Sequence, residues 1–141
     1  MDLLKAFSEI SYWNEEFYSD DKLNIERRLA RFKNDLEVIS VELEITEMEA
    51  FFLTAIFALQ VEESDNILFP DVVEKLRFPK IEALRYYKAI EGLEQKGWIT
   101  KIVHDEESIE NVRYHKKISV IPYFNEEYKL TKKAIDKIIK K

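Results

Sequence analysis

The 141 residues are 46% hydrophobic and 13% aromatic, enough to fill the core of one domain, and the absence of cysteine excludes disulfides, thiolate zinc sites and cysteine nucleophiles. A net charge of −6 hides an asymmetry, because residues 1–76 carry 18 acids against 7 bases and residues 77–141 carry 10 acids against 15 bases. The split fits a polar partner for the basic part, attraction between the two parts, or charges on solvated faces.

The opening MDLLKAFSEISYW lacks the basic n-region and cleavage site of a signal peptide, and the longest apolar run is too short to span a bilayer. The expected location is therefore the cytoplasm, with no membrane partner. Leu3, Phe7, Ile10 and Phe17 stand at helical spacing, and Asp20-Asp21 supplies an acidic N-cap signal for a second helix. In that second helix, over 22–43, Ile25, Leu29, Phe32, Leu36, Ile39 and Leu43 alternate spacings of 4 and 3. The seam predicts packing of a helical hairpin onto the rest of the chain, with homodimerisation through 22–43 as the alternative.

Thr46 and Glu49 form a capping-box pattern ahead of Ala50-Phe51-Phe52-Leu53-Thr54-Ala55-Ile56-Phe57-Ala58-Leu59, a run with one polar residue. A helix apolar all round needs cover on more than one side, so residues 1–43 are expected to pack on 44–141 as one domain spanning 1–141. Ile67-Leu68-Phe69 has the length of a short strand; Pro70 suits the first turn of a helix running to Leu76, and Phe78-Pro79 ends it.

The next phrase, Ile81 to Val103, reads as a helix that stops at glycine and becomes a strand. Ala83, Tyr86, Ala89, Ile90 and Leu93 fall on one arc, and Arg85, Lys88, Glu91, Gln95 and Lys96 on the other. Leu84 projects into the exposed arc. Gly97 then tolerates a left-handed turn, and Trp98, Ile99, Ile102 and Val103 give a strand. Residues 104–113 are polar and acidic and read as a wing, with 114–121 as the returning strand. Tyr128-Lys129-Leu130-Thr131 leads into a last helix carrying Ala134, Ile135, Ile138 and Ile139 inward. No stop signal follows Ile139, so this helix is expected to be able to continue into something further.

Nothing in the chain carries a catalytic signature. There is no GxxxxGK[ST] or GxGxxG loop, His104 and His115 match no metal-ligand spacing and read as solvated wing residues, and the carboxylates occur in surface-like runs. No cofactor is expected. For nucleic acid, the exposed face of the helix after 80 offers Lys80, Arg85 and Lys88, with Lys116 and Lys117 as wing contacts to phosphate. Against this stand Asp105, Glu106, Glu107 and Glu110 at the wing tip, which repel phosphates, and an exposed Leu84, which favours a protein partner.

Short helix, turn, longer helix and strand, with Leu93-Glu94-Gln95-Lys96-Gly97-Trp98-Ile99 at the joint, resemble the winged-helix superfamily over roughly 46–140. The phrases Glu49-Ala50-Phe51-Phe52 and Pro79-Lys80-Ile81-Glu82-Ala83-Leu84-Arg85-Tyr86 look like the helical and winged-helix region that precedes the ATPase module in some bacterial AAA+ family proteins. The resemblance implies an α+β, mostly α winged helix-turn-helix with two extra N-terminal helices and a C-terminal helix. It also implies a non-catalytic recognition or regulatory module whose partner is a protein or an attached ATPase module. Lys80, Leu84, Arg85 and Lys88 are its expected contact residues. The family's phosphate- and magnesium-binding motifs have no counterpart here, so no ATPase activity carries over. A DNA-binding transcriptional regulator is the alternative.

Overall fold

A computed structural model describes residues 3–16, 29–62, 66–76, 80–102 and 126–139, and their side chains except at 12–16 and 80. In chain order these form α1 (Leu3–Glu16), α2 (Lys33–Leu43), α3 (Glu47–Glu62), β1 (Ile67–Leu68), α4 (Phe69–Leu76), α5 (Lys80–Leu84), α6 (Lys88–Gln95), β2 (Ile99–Ile102), β3 (Glu127–Leu130) and α7 (Lys132–Ile139). The architecture is α+β and mostly α.

Helix α3 is the one the others wrap. Its start is the capping box read from the sequence: the Thr46 N–H donates to Glu49 Oε1 at 2.8 Å, and the Glu49 N–H donates back to Thr46 Oγ1 at 3.1 Å. From Ala50 to Phe57 every residue is buried, because α1 and α2 cover one part of its circumference while α4, α6 and the sheet cover the rest. Phe7 of α1 meets Phe57 edge-on at 5.3 Å, and Phe32, just before α2, tilts against Phe51 at 6.1 Å. The α2 seam is used here, since Phe32, Leu36, Ile39 and Leu43 are buried within the chain. Ile25 of that seam lies outside the described residues.

Between α2 and α3 the chain turns on Glu44, whose φ of 55° is left-handed without glycine's help. The turn is held by bonds to Ser40: its carbonyl accepts from the Ile45 N–H at 3.0 Å, and its hydroxyl donates to the Ile45 carbonyl at 2.6 Å.

The three strands form an antiparallel sheet in the order β1-β3-β2, with Ile67 opposite Tyr128 and Ile99 opposite Leu130. The partner of β2 is therefore 127–130, the segment that the sequence reading assigns to the approach of the last helix. Its burial alternates, with Tyr128 and Leu130 inward and Lys129 outward, the period-2 pattern of a strand with one wet face. The predicted wing over 104–113 and returning strand over 114–121 lie outside the described residues, as do His104, His115, Lys116 and Lys117.

Thr131 joins the sheet to α7. Its hydroxyl bonds the Gly97 carbonyl at 2.7 Å and accepts from the Ala134 N–H at 3.1 Å, which caps α7 and ties it to the α6–β2 corner. Of the four residues expected inward on α7, Ala134 and Ile138 are buried while Ile135 and Ile139 are exposed. The helix lies against α1 along one narrow stripe, which admits only the i, i+4 pair. No described helix is long and apolar enough to cross a membrane.

Candidate functional site

The face singled out in the sequence is carried by α5 and α6, which are two helices and not one. Between them, over 85–87, the backbone closes with i→i+3 bonds from the Arg85, Tyr86 and Tyr87 N–H groups to the carbonyls of Glu82, Ala83 and Leu84, at 3.1, 3.0 and 3.3 Å. Such a turn winds about 20° more per residue than an α-helix, so the side chains beyond it rotate relative to a regular helix.

The cause lies in the tyrosine doublet. Adjacent residues cannot share a helix face, and the chain buries Tyr87 where the sequence periodicity selects Tyr86, which is half-buried. The Tyr87 hydroxyl is held by the sheet. It donates to Glu126 Oε1, which also accepts from the Tyr128 hydroxyl at 2.5 Å, and the two hydroxyls stand 3.2 Å apart. Lys101 Nζ pairs with the other carboxylate oxygen of Glu126 at 2.7 Å. The ring of Tyr87 packs on Phe69 at 5.3 Å. Burial pushes the Glu126 carboxyl above its ordinary pKa, partly offset by the bond from Tyr128, and burial with the adjacent carboxylate pushes the Tyr128 hydroxyl far above its own. A tyrosine apiece from the turn and the sheet thus share one carboxylate, which ties the overwound joint to β3.

A second tie fixes the far end of α6. Lys96 Nζ reaches the capping-box carboxylate, Glu49 Oε1, at 2.6 Å, and Glu49 is 5% exposed. That carboxylate lies so close to α6 that a Cβ on Gly92 would stand 1.8 Å from Glu49 Oε2. Gly92 is the residue that lets α3 and α6 approach there. Gly97 has a different role, ending the helix at φ +84° below Trp98, over whose ring Lys133 Nζ lies at 4.1 Å.

Between these ties the outer face is laid out as follows. Lys80 opens α5. Arg85 is exposed and pairs with Glu82 at 3.0 Å, and Lys88 is exposed at the first residue of α6. Leu84 corrects the reading: it is half-buried and packs against the core. The exposed apolar residue is instead Ile81, at 84%. On α5 itself Leu84 thus faces inward and Ile81 outward, and the rotation of the turn acts on the residues beyond it. Ile81, Arg85 and Lys88, at spacings of 4 and 3, form one outward stripe. The adjacent tyrosines are the signal that a single regular helix would leave one of them misplaced. Lys116 and Lys117 lie outside the described residues. Among the described residues no group of three or more His, Asp or Glu is placed to hold a metal ion. Compared with known proteins, the chain matches no family model, no curated protein and no solved structure.

Proposed function

We propose that the chain is a non-catalytic winged-helix recognition module that binds a protein partner through the α5–α6 face, in the place of an N-terminal regulatory domain of an AAA+ family ATPase. The observation that carries the fold reading is connectivity. Among the described residues one helix, a strand, three helices and two strands follow each other, with the last strand hydrogen-bonded between the other two. That is the order a helix-turn-helix with a wing requires, with α4 and α5–α6 as its helices. The Glu49-Ala50-Phe51-Phe52 and Pro79 to Tyr86 phrases support the AAA+ placement, and a phosphate-binding loop in the coding sequence beyond Lys141 is the observation that tests it.

The choice of a protein partner rests on Ile81. An aliphatic side chain 84% exposed at the α5 end of the face gains by leaving water and gives nothing to a phosphate. Glu82 draws on the charge of Arg85 and sets a carboxylate where a DNA backbone would pass. DNA remains the second reading because Arg85 and Lys88 are both exposed there and residues 77–141 hold 15 bases against 10 acids. Titration of the protein into random duplex DNA at low and at physiological salt, beside Arg85→Ala and Lys88→Ala, separates the two. Weak binding that vanishes at physiological salt is expected. Tight binding that survives it and that both substitutions abolish makes the chain a DNA-binding regulator.

A further inference from the structure

Past Phe57 the enclosure of α3 opens, since Ala58 is half-buried and Val61 and Glu62 are exposed. There α1 and α3 leave between them a groove of about 390 Å³. The edge-on pair Phe7 and Phe57 lines it together with Ala58, and Leu4 and Val61 line it while 48% and 72% exposed. On α1 the lining positions 4, 7, 8 and 11 follow one helix face, and on α3 the lining runs from Thr54 to Glu62. At 1.5 Å of rise per residue the groove extends along both helices for about two turns, roughly 10–12 Å.

Its polar groups narrow the choice of occupant. Glu62, the last residue of α3, is already paired, its Oε1 accepting from Lys75 Nζ at 2.6 Å. A charged ligand would therefore meet no unpaired opposite charge, and desolvating it costs more than the contact of a small apolar body returns. The Ser8 and Ser11 hydroxyls stand on the α1 wall and, among the described residues, have no hydrogen-bond partner. A hydroxyl both donates and accepts, so either kind of uncharged polar group can be met there. Size excludes a docked protein, which needs to bury roughly 1,000 Å² in total, more than a groove two turns long can cover. A volume of about 390 Å³ instead lies at the lower end of the roughly 300–1,000 Å³ of small-molecule sites.

We propose that the α1–α3 groove binds a small uncharged apolar molecule, its body on Phe7, Phe57 and Ala58 and its one hydroxyl, carbonyl or amine N–H on Ser8 and Ser11. None of these residues belongs to the α5–α6 face, so the site stands whether or not that face takes a protein.

Two fluorescent probes of the same aromatic body read the site in the whole chain: phenylnaphthylamine, which is uncharged, and anilinonaphthalenesulfonate, which adds a sulfonate. The first is expected to saturate at one probe per chain, and the second to bind about tenfold or more weakly. Octanol, whose extended chain is about as long as the groove, is expected to displace the probe where octanoate at the same concentration does not. Ser8→Trp fills the groove from an exposed position, so the fold is kept, as thermal melting would verify, and binding is expected to fall about tenfold or more. Ser8→Ala combined with Ser11→Ala removes only the hydroxyls and is expected to weaken binding about threefold or more. Ile81→Glu, on the other face, is expected to leave it unchanged. Binding that does not saturate, that survives Ser8→Trp or the double alanine variant, that Ile81→Glu abolishes, or that is as tight for a charged molecule as for its uncharged match overturns the proposal.

Discussion

Helix α3 and the α5–α6 pair are both built from apolar-rich phrases, yet the first is enclosed on every side from Ala50 to Phe57 and the second on one. Helix α3 has no polar side to offer; even its Thr54 is buried, its hydroxyl turned back to the Ala50 carbonyl at 2.8 Å. Uniform apolarity left its neighbours no choice but to surround it. The α5–α6 pair has a wet side, and which residues occupy it was decided by a tyrosine hydroxyl and a carboxylate far along the chain. A missing period therefore constrains the fold more tightly than a present one, whose phase a single overwound turn can shift.

The contrast breaks most visibly if the cover on α3 is taken away. Expressing 44–141 alone removes α1 and α2 and bares the part of α3 that carries Phe51 and Phe57, so the fragment is expected to aggregate more readily than the full chain. A monomeric fragment as stable as the parent would show that the cover is dispensable.

A graded series across α5–α6 comes next. Leu93, fully buried, is expected to lose about 2–5 kcal/mol on replacement by alanine, the half-buried Leu84 about 1–2 kcal/mol, and the exposed Ile81 less than about 0.5 kcal/mol. Denaturant unfolding ranks them, and a loss at Ile81 as large as that at Leu84 would mean that Ile81 does not lie on the outer face of α5.

Gly92 offers a test by sign. In the parent, Gly92→Ala must displace the Glu49 carboxylate from its cap and from Lys96, which offsets the roughly 1 kcal/mol that alanine gains over glycine inside a helix. In a Glu49→Ala background the obstruction is gone, and the same substitution is expected to stabilise by about 1 kcal/mol. Equal effects in both backgrounds would show that the glycine is not there for the carboxylate.

The smallest effect is a pH dependence. Burial raises the folded-state pKa of Glu126 and, with help from the Glu9 charge, that of Asp35. A raised carboxyl pKa means that the folded state binds the proton more tightly than the unfolded state, so these groups oppose folding at neutral pH. The opposition is relieved as pH falls through the folded values toward the ordinary 4.5 and 3.8. Melting temperatures taken from pH 7 downward should show this contribution shrink, and Glu126→Gln should flatten the curve.

Signals complete within a few residues were legible in the sequence. Thr46 with Glu49, Pro70 at the start of a helix and Gly97 at the end of one each state their geometry locally, and the structure has all three. Illegible features depended on distant partners. Tyr87 is buried in place of the expected Tyr86, with its hydroxyl on Glu126, Leu84 is half-buried where it was expected outward, and Ile135 and Ile139 stay outside because α7 meets its neighbour along a single stripe. Residues 127–130 alternate in burial but are only four long, too few for alternation to outweigh the helix that follows.

The strand that was hardest to read is also the last of the described strands to be synthesised, and it sits in the middle of the sheet. Until it arrives, β1 and β2 lack the strand that joins them among the described residues, and the Tyr87 hydroxyl lacks the Glu126 carboxylate. The helical contacts among α1, α2 and α3 are closer in sequence and can form first. Pairing of Ile67 with Tyr128 then closes a long loop, at a cost that grows as about 1.5 RT ln n with loop length n. The proposed binding face is accordingly a late product of folding, and its assembly is expected to be limited by that one closure and not by the helices that make up most of the described residues.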